Sequence, residues 1–292
     1  MSTPSLPEIP PLVELRREID RLDEAMHNLL IQRGEIIDRL IKAKQTQESG
    51  SAFRPAREAQ MMRRLVERHK GILPLDTAES IWRVIIATFT YVQAPFSVHA
   101  DLSAGDAMMR DSARFHFGFT VPFVPHIGAA SVVAAVSASR GDLGLVPAFD
   151  IAAAGAWWTE LEVQSAPKII ARLPFVERRD HPAAMPVFVL SRAAPDAMVK
   201  EVEMWSVRVA GWSTRAAREL AILAEVVAVP EGAFEGAALL VSVPQGRSID
   251  LVTSLLVEAG ASVRSSTLVG THASRYKLPD VPRPPDAAPS GA

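Results

Sequence analysis

Three basic side chains stand where a helix should be apolar. Between residues 12 and 45 the positions Leu12, Leu15, Ile19, Leu22, Met26, Leu29, Arg33, Ile36, Leu40 and Ala43 follow one another at spacings of three and four, and only Arg33 is polar. Lys44 continues that face four residues after Leu40, and Arg16 sits beside Leu15 at the other end. A guanidinium taken out of water is costly unless an anion neutralises it. This helix offers Arg33 no seam carboxylate, so three cations on one stripe point to a pocket for a small anionic ligand. Two other arrangements fit the same spacing. The basic side chains could snorkel from the seam to solvent, or Arg33 could pair with a carboxylate of another helix.

The element that positions these residues is one continuous helix, because nothing before Gly34 breaks the period. At 1.5 Å per residue its 34 residues make a rod of about 50 Å. A domain of some 85 residues is only about 25–30 Å across. The rod therefore overhangs its own domain, and a second copy of the chain is expected to bury the overhang as an intertwined homodimer. A second helix is predicted within RPAREAQMMRRLVERHKG (54–71), with Pro55 at its first position, an apolar side of Met61, Met62, Leu65 and Val66, and Gly71 as its end. A third is predicted from Asp76, with Glu79 as capping-box partner, through Ile81, Trp82, Ile85, Ile86, Phe89 and Val92 towards Pro95.

In this order the segments LRREIDRLDEAMHNLLIQR (15–33), I-x-A-K ending at Lys44, R-P-x-R-E (54–58) and Gln93 resemble the helical (AroQ) class of chorismate mutases over about 80 residues. The resemblance implies a three-helix dimeric domain and assigns roles. Arg16, from the partner protomer, and Arg33 would clamp the two carboxylates of chorismate. Lys44 would contact a carboxylate and the ether oxygen of the breaking bond. Arg57 and Glu58 match the family's Arg-Glu pair, with Glu58 holding the ring hydroxyl, and Gln93 would donate to the ether oxygen from the other side. Four residues before Gln93 the family carries a small hydroxyl residue, and this chain has Phe89, with Thr88 and Thr90 on either side.

The reaction so implied, chorismate to prephenate, is a unimolecular pericyclic rearrangement that needs no nucleophile, metal, cofactor or proton transfer. Its catalysis would be orientation by the carboxylate clamp and stabilisation of the charge growing on the ether oxygen by Lys44 and Gln93. The neutral amide of Gln93 donates without having to be protonated first. This agrees with a chain that has no cysteine and with a helical part whose histidines, His27 and His69, lie on polar stretches.

The remainder reads differently. Of the 292 residues 22% are charged, and the formal net charge is −2, which gives no electrostatic argument for nucleic acid or an anionic membrane. The N-terminus lacks a secretory pattern and no stretch suits a bilayer, so a cytoplasmic protein is expected. Composition shifts near residue 97. The expected division is a chorismate mutase domain at 11–97, a linker at 98–112, an α/β domain at 113–278 and a Pro-rich disordered tail at 279–292. Strands are expected in ARFHFGFTV (113–121), PVFVL (186–190) and ALLVSV (238–243), and helices in 127–139 and 247–260. A strand ending at Pro147 is also expected.

The domain order and the strand–helix–strand run up to Pro147 resemble a two-lobed prephenate dehydratase. The family's Gly-Thr-Phe turn is replaced by TVPFVPHIG (120–128), its Glu-Asn-Ser by Ala148, Phe149 and Asp150, and PVFVLSR (186–192) is the stretch nearest its Thr-Arg-Phe. The resemblance implies a dehydratase fold whose activity is lost. His116, His126, His181 and His272 share no metal-ligand spacing, Trp157 and Trp158 fit the lining of a ligand cleft or, better, a plug at a domain interface, and Gly141, Gly144 and Gly155 fit turns. Three functions follow: a chorismate mutase with a degenerate appendage, an active mutase–dehydratase, and a non-catalytic dimeric small-molecule-binding regulator.

Overall fold

The computed structural model describes residues 11–44, 52–148, 155–183, 185–192, 200–231 and 236–278. The expected tail at 279–292 and the residues Phe149 and Asp150 lie outside them. The chain divides into two compact units, one up to Ser49 and one from Gly50 onward.

The first unit holds a single helix, α1 (Leu12–Lys44). It is as long and unbroken as the three-four spacing requires. Its stripe is exposed in the single chain: Leu22 is 64% and Leu29 62% accessible, with Leu12, Ile19, Met26 and Ile36 also exposed.

The second unit begins with α2 (Pro55–Arg68) and α3 (Leu75–Gln93). Pro55 opens α2, where its missing N–H costs nothing. Both helices share a hydrophobic core with the sheet that follows: Met62, Leu65, Ile86 and Ala87 cluster with Val98, Ala100, Met109 and Phe117. The composition shift near residue 97 is therefore not a break in packing. Two details of α3 differ from expectation. It starts one residue early, behind Pro74 and without a side-chain cap, and Glu79 is committed elsewhere. Its buried face is Ala78, Glu79, Arg83, Ile86, Ala87 and Thr90, whereas Ile81, Val84 and Val92 are exposed.

The stretch expected as a linker is structure. Val98 and Ala100 alternate inward on strand β1 (Val98–Asp101), which pairs in parallel with β2 (Phe123–His126) and β3 (Leu143–Pro147). Between β1 and β2 lies α4 (Asp106–Phe117), so the expected strand at 113–121 is the end of a helix. The spacing of Met109, Ala113 and Phe117 buries one helical face. The competing alternation of Phe115, Phe117 and Phe119 loses because Gly118, at φ +68°, ends the helix before Phe119. Helix α5 (Ala129–Ala138) links β2 to β3 as expected. Gly144 is not in a turn: it lies within β3, and a Cβ there would come within 2.7 Å of Val132 Cγ1 on α5. Trp157 and Trp158, on a 3-10 helix (Trp157–Glu162), are buried with Val132 and Phe188 in a second cluster, as a plug would be.

Next come β4 (Lys168–Leu173), β5 (Val176–Glu177) and β6 (Val187–Ser191). The chain closes with β7 (Val202–Ala210), α6 (Thr214–Leu220), β8 (Glu225–Glu231), β9 (Gly236–Pro244), α7 (Ile249–Glu258), β10 (Ser262–His272) and β11 (Tyr276–Lys277). Among the described residues nine strands form one mixed sheet in the order β2-β1-β3-β6-β4-β10-β7-β9-β8, and β11 pairs with β5. Its last four strands with α6 and α7 make a β-α-β-β-α-β module. That module has its own core of Val207, Leu220, Leu239, Val252 and Leu256. Ser213 and Ser248 cap α6 and α7 by accepting from Ala216 N and Leu251 N.

Candidate functional site

Helix geometry fixes what the basic residues of α1 can do together. Arg33 and Lys44 are eleven residues apart, three turns or about 17 Å, and fall on nearly the same face. Arg16 and Arg33 are separated by about 26 Å along the axis and by roughly a quarter turn around it. One copy of α1 cannot close Arg16 and Arg33 around a single small molecule. Arg33 is half-buried and Arg16 exposed, while the Lys44 side chain lies outside the described residues.

The remaining candidates are in the second unit. Arg57 is exposed on the first turn of α2. Glu58, the next residue, points the other way and is buried. Its Oε2 accepts from Arg83 Nη1 at 2.7 Å, and Arg83, 1% exposed, also donates through Nη2 to the His116 carbonyl at 3.0 Å. Burial pushes the Glu58 carboxyl above its ordinary value, and the Arg83 guanidinium works against that rise. Gln93 is the last residue of α3, half-buried, with Nε2 donating to the Phe89 carbonyl at 2.9 Å. Glu58 thus meets α3 at Arg83, nearly three turns before Gln93, and the two are not brought together within the second unit. Phe89 is half-buried, Thr88 likewise, and Thr90 is buried on the inner face.

The pairing of Glu58 with Arg83 was not legible in the spacing, and it is one end of a larger buried network. Glu79, fully buried on α3, lies 3.2 Å from His181 Nε2 through Oε1 and 3.2 Å from Arg178 Nη2 through Oε2. Arg178 also pairs with Asp76. His116 stacks on His181 with ring centroids 6.1 Å apart, and burial, with Arg83 and His181 nearby, drives its pKa well below the ordinary value. The available signal was Glu79 and Arg83, a glutamate and an arginine four residues apart on the face of α3 that also carries Ile86 and Ala87.

In the sheet, TVPFVPHIG (120–128) supplies β2 and the approach to α5, and Ala148 is buried just after β3. His99 and His126 meet at 2.8 Å, and His99 lies 3.3 Å from Asp142. Among the described residues no group of three or more His, Cys, Asp or Glu is placed to hold a metal ion. No described helix is long and apolar enough to cross a membrane.

The chain is similar to known proteins over part of its length. Bifunctional chorismate mutase/prephenate dehydratases of Aquifex aeolicus and Pseudomonas aeruginosa are each 29% identical over 140 residues, 47% of this chain and 38% of theirs. The matched part thus spans about two fifths of the length of these curated relatives. Two solved structures overlap with 61–62% of the chain at 14% identity. One is GqqA, described as a novel type of quorum quenching acylase (TM-score 0.40), and the other is a prephenate dehydratase from Streptococcus mutans (TM-score 0.38). The family model described as chorismate mutase type II matches residues 15–94, the stretch that runs from Leu15 beside Arg16 through Gln93.

Proposed function

We propose that the chain is a chorismate mutase that converts chorismate to prephenate. The observation that carries this reading is the family match over 15–94, the stretch in which Arg16, Arg33, Lys44, Arg57, Glu58 and Gln93 lie. Arg33 and Lys44, on one face of α1, bind a carboxylate of the substrate, and Lys44 also donates to the ether oxygen. Gln93 donates to that oxygen from the opposite side. Arg57 and Glu58 complete the binding set, which requires Glu58 to turn from Arg83 to the substrate.

Arg16 comes from a second copy. The axial distance between Arg16 and Arg33 supports this, as does the exposed apolar stripe of α1, which a partner helix would cover. The clamp selects the folded conformer in which the two reacting carbons are adjacent. The two donors then stabilise the charge that builds on the ether oxygen as its bond to carbon breaks.

Loss of chorismate absorbance with the purified chain tests the reading. Replacing Lys44 by Ala is expected to lower kcat about 10²–10³-fold, and Arg33→Ala to lower kcat/KM by a similar factor. Near-normal turnover of Lys44→Ala at saturating chorismate, or a near-normal kcat/KM of Arg33→Ala, would sink the assignment.

A second reading, an added prephenate dehydratase activity, is favoured by relatives whose matched 140 residues exceed the 80 of the family model. It is decided by whether prephenate yields phenylpyruvate.

A further inference from the structure

A cleft of about 810 Å³ lies in the second unit among α6, β8, β4 and the segment from β10 to β11, and none of the residues assigned above is in its lining. Part of its lining is apolar, with Trp212, Ala221, Leu223 and Val226. The rest is charged. Arg172 on β4 is buried, and its two Nη atoms grip the Glu225 carboxylate, Nη2 to Oε1 at 2.7 Å, while its Nε has no hydrogen-bond partner. Arg275 lies 3.2 Å from Glu177 Oε1, and Lys277 reaches the same carboxylate only at 3.9 Å.

The charges do not balance. Arg172, Arg275 and Lys277 face Glu177 and Glu225, which leaves one positive charge in surplus among the lining residues. His272 adds none. Its ring, donating Nδ1–H to the Ala273 carbonyl at 2.8 Å, leaves Nε2 as a buried lone pair without a partner. Burial and the two guanidiniums hold it neutral, with a pKa of about 4. Burial lowers the Arg275 pKa, and the Arg172 guanidinium of the same lining lowers it further. The carboxylate that holds Arg172 comes from Glu225, whose side chain is 58% exposed. A half-exposed glutamate is a replaceable partner for a buried arginine, because its own rehydration offsets much of the exchange.

We propose that this cleft is a binding site for a small organic carboxylate with an apolar body, its carboxylate received by Arg172 and Arg275 and its body laid against Trp212, Ala221 and Leu223. The single surplus charge and the apolar wall favour a monocarboxylate over phosphate, which would bring a second charge towards Glu177 and Glu225. The lining shares no residue with the proposed mutase set.

Calorimetric titration of the full chain with benzoate, and with benzamide as its uncharged isostere, tests the site. Benzoate is expected to bind saturably, and benzamide at least tenfold more weakly. Arg275→Gln, at a side chain 15% exposed, is expected to weaken benzoate about tenfold while circular dichroism shows the variant folded, whereas Arg33→Ala leaves benzoate binding intact. Glu225→Gln removes the competitor for Arg172. Benzoate should therefore bind that variant more tightly and raise its melting temperature more than that of the unmodified chain, a gain that a purely structural ion pair does not produce. Equal affinity for benzoate and benzamide would overturn the proposal. So would phosphate binding as tightly as benzoate, an absence of saturable heat with both benzoate and octanoate, or weaker benzoate binding by Glu225→Gln.

Discussion

Helix α1 and the nine-stranded sheet solve the problem of apolar surface in opposite ways. The sheet buries its apolar residues within the chain, in clusters shared with α2 to α7. Helix α1 leaves a stripe from Leu12 to Ile36 exposed. Propensity alone rarely sustains such a helix in water, since most helical stability comes from packing an amphipathic face. The second unit carries its own cores, and α1 keeps an apolar stripe open to solvent in the single chain.

The largest test of that contrast is to spoil the stripe. Leu22→Asp with Leu29→Asp is expected to abolish mutase activity and reduce helix content in circular dichroism, while the sheet's own melting transition stays where it was. A single transition that falls as a whole would show that the two regions are not independent.

Next is Glu58→Ala, which leaves the buried Arg83 charge without its carboxylate and is expected to destabilise the second unit by about 3–5 kcal/mol in urea unfolding. Glu58→Ala with Arg83→Met should recover much of that loss. If the double variant is stable but still slow with chorismate, Glu58 serves the substrate as well as the fold.

Acidification comes third. His272 has its folded pKa lowered from 6.5 to about 4. Below pH 6.5 the unfolded chain takes up a proton that the folded chain refuses, so this contribution is complete above 6.5 and is lost as pH falls towards 4. The loss is roughly 3 kcal/mol at its limit, and His116 acts with the same sign. Stability measured at pH 7 and pH 4.5 should differ less in His272→Leu than in the unmodified chain.

The smallest effect is expected for Ser248→Ala, which removes the cap of α7 and should cost about 1 kcal/mol without touching activity.

Where the sequence could be read, one period ruled. Thirty-three residues of α1 repeat at three and four, so their helix was plain, and Pro55 marked the start of α2. The run at 113–121 obeyed two periods at once, and only tertiary burial of Met109, Ala113 and Phe117 decides between them. The stretch 98–112 looked like a linker because β1 is four residues long and its partners lie more than twenty residues away. Of the candidate site, Arg33 announced itself as a cation in an apolar seam. Glu58 did not disclose its partner, since Arg83 lies 25 residues on and no local spacing joins them. The cleft was illegible for the same reason, as Arg172 and Glu225 are 53 residues apart.

The placement of Arg16 and Arg33 on one straight rod carries a genetic consequence. On the proposed pairing, each site takes Lys44 from one copy and Arg16 from the other. A chain bearing Arg16→Ala and a chain bearing Lys44→Ala are each inactive alone, but a mixed pair rebuilds one whole site and concentrates both defects in its neighbour. Co-expressed in equal amounts with random association, the two dead alleles should restore roughly a quarter of normal turnover, so that two recessive lesions in the same gene complement each other.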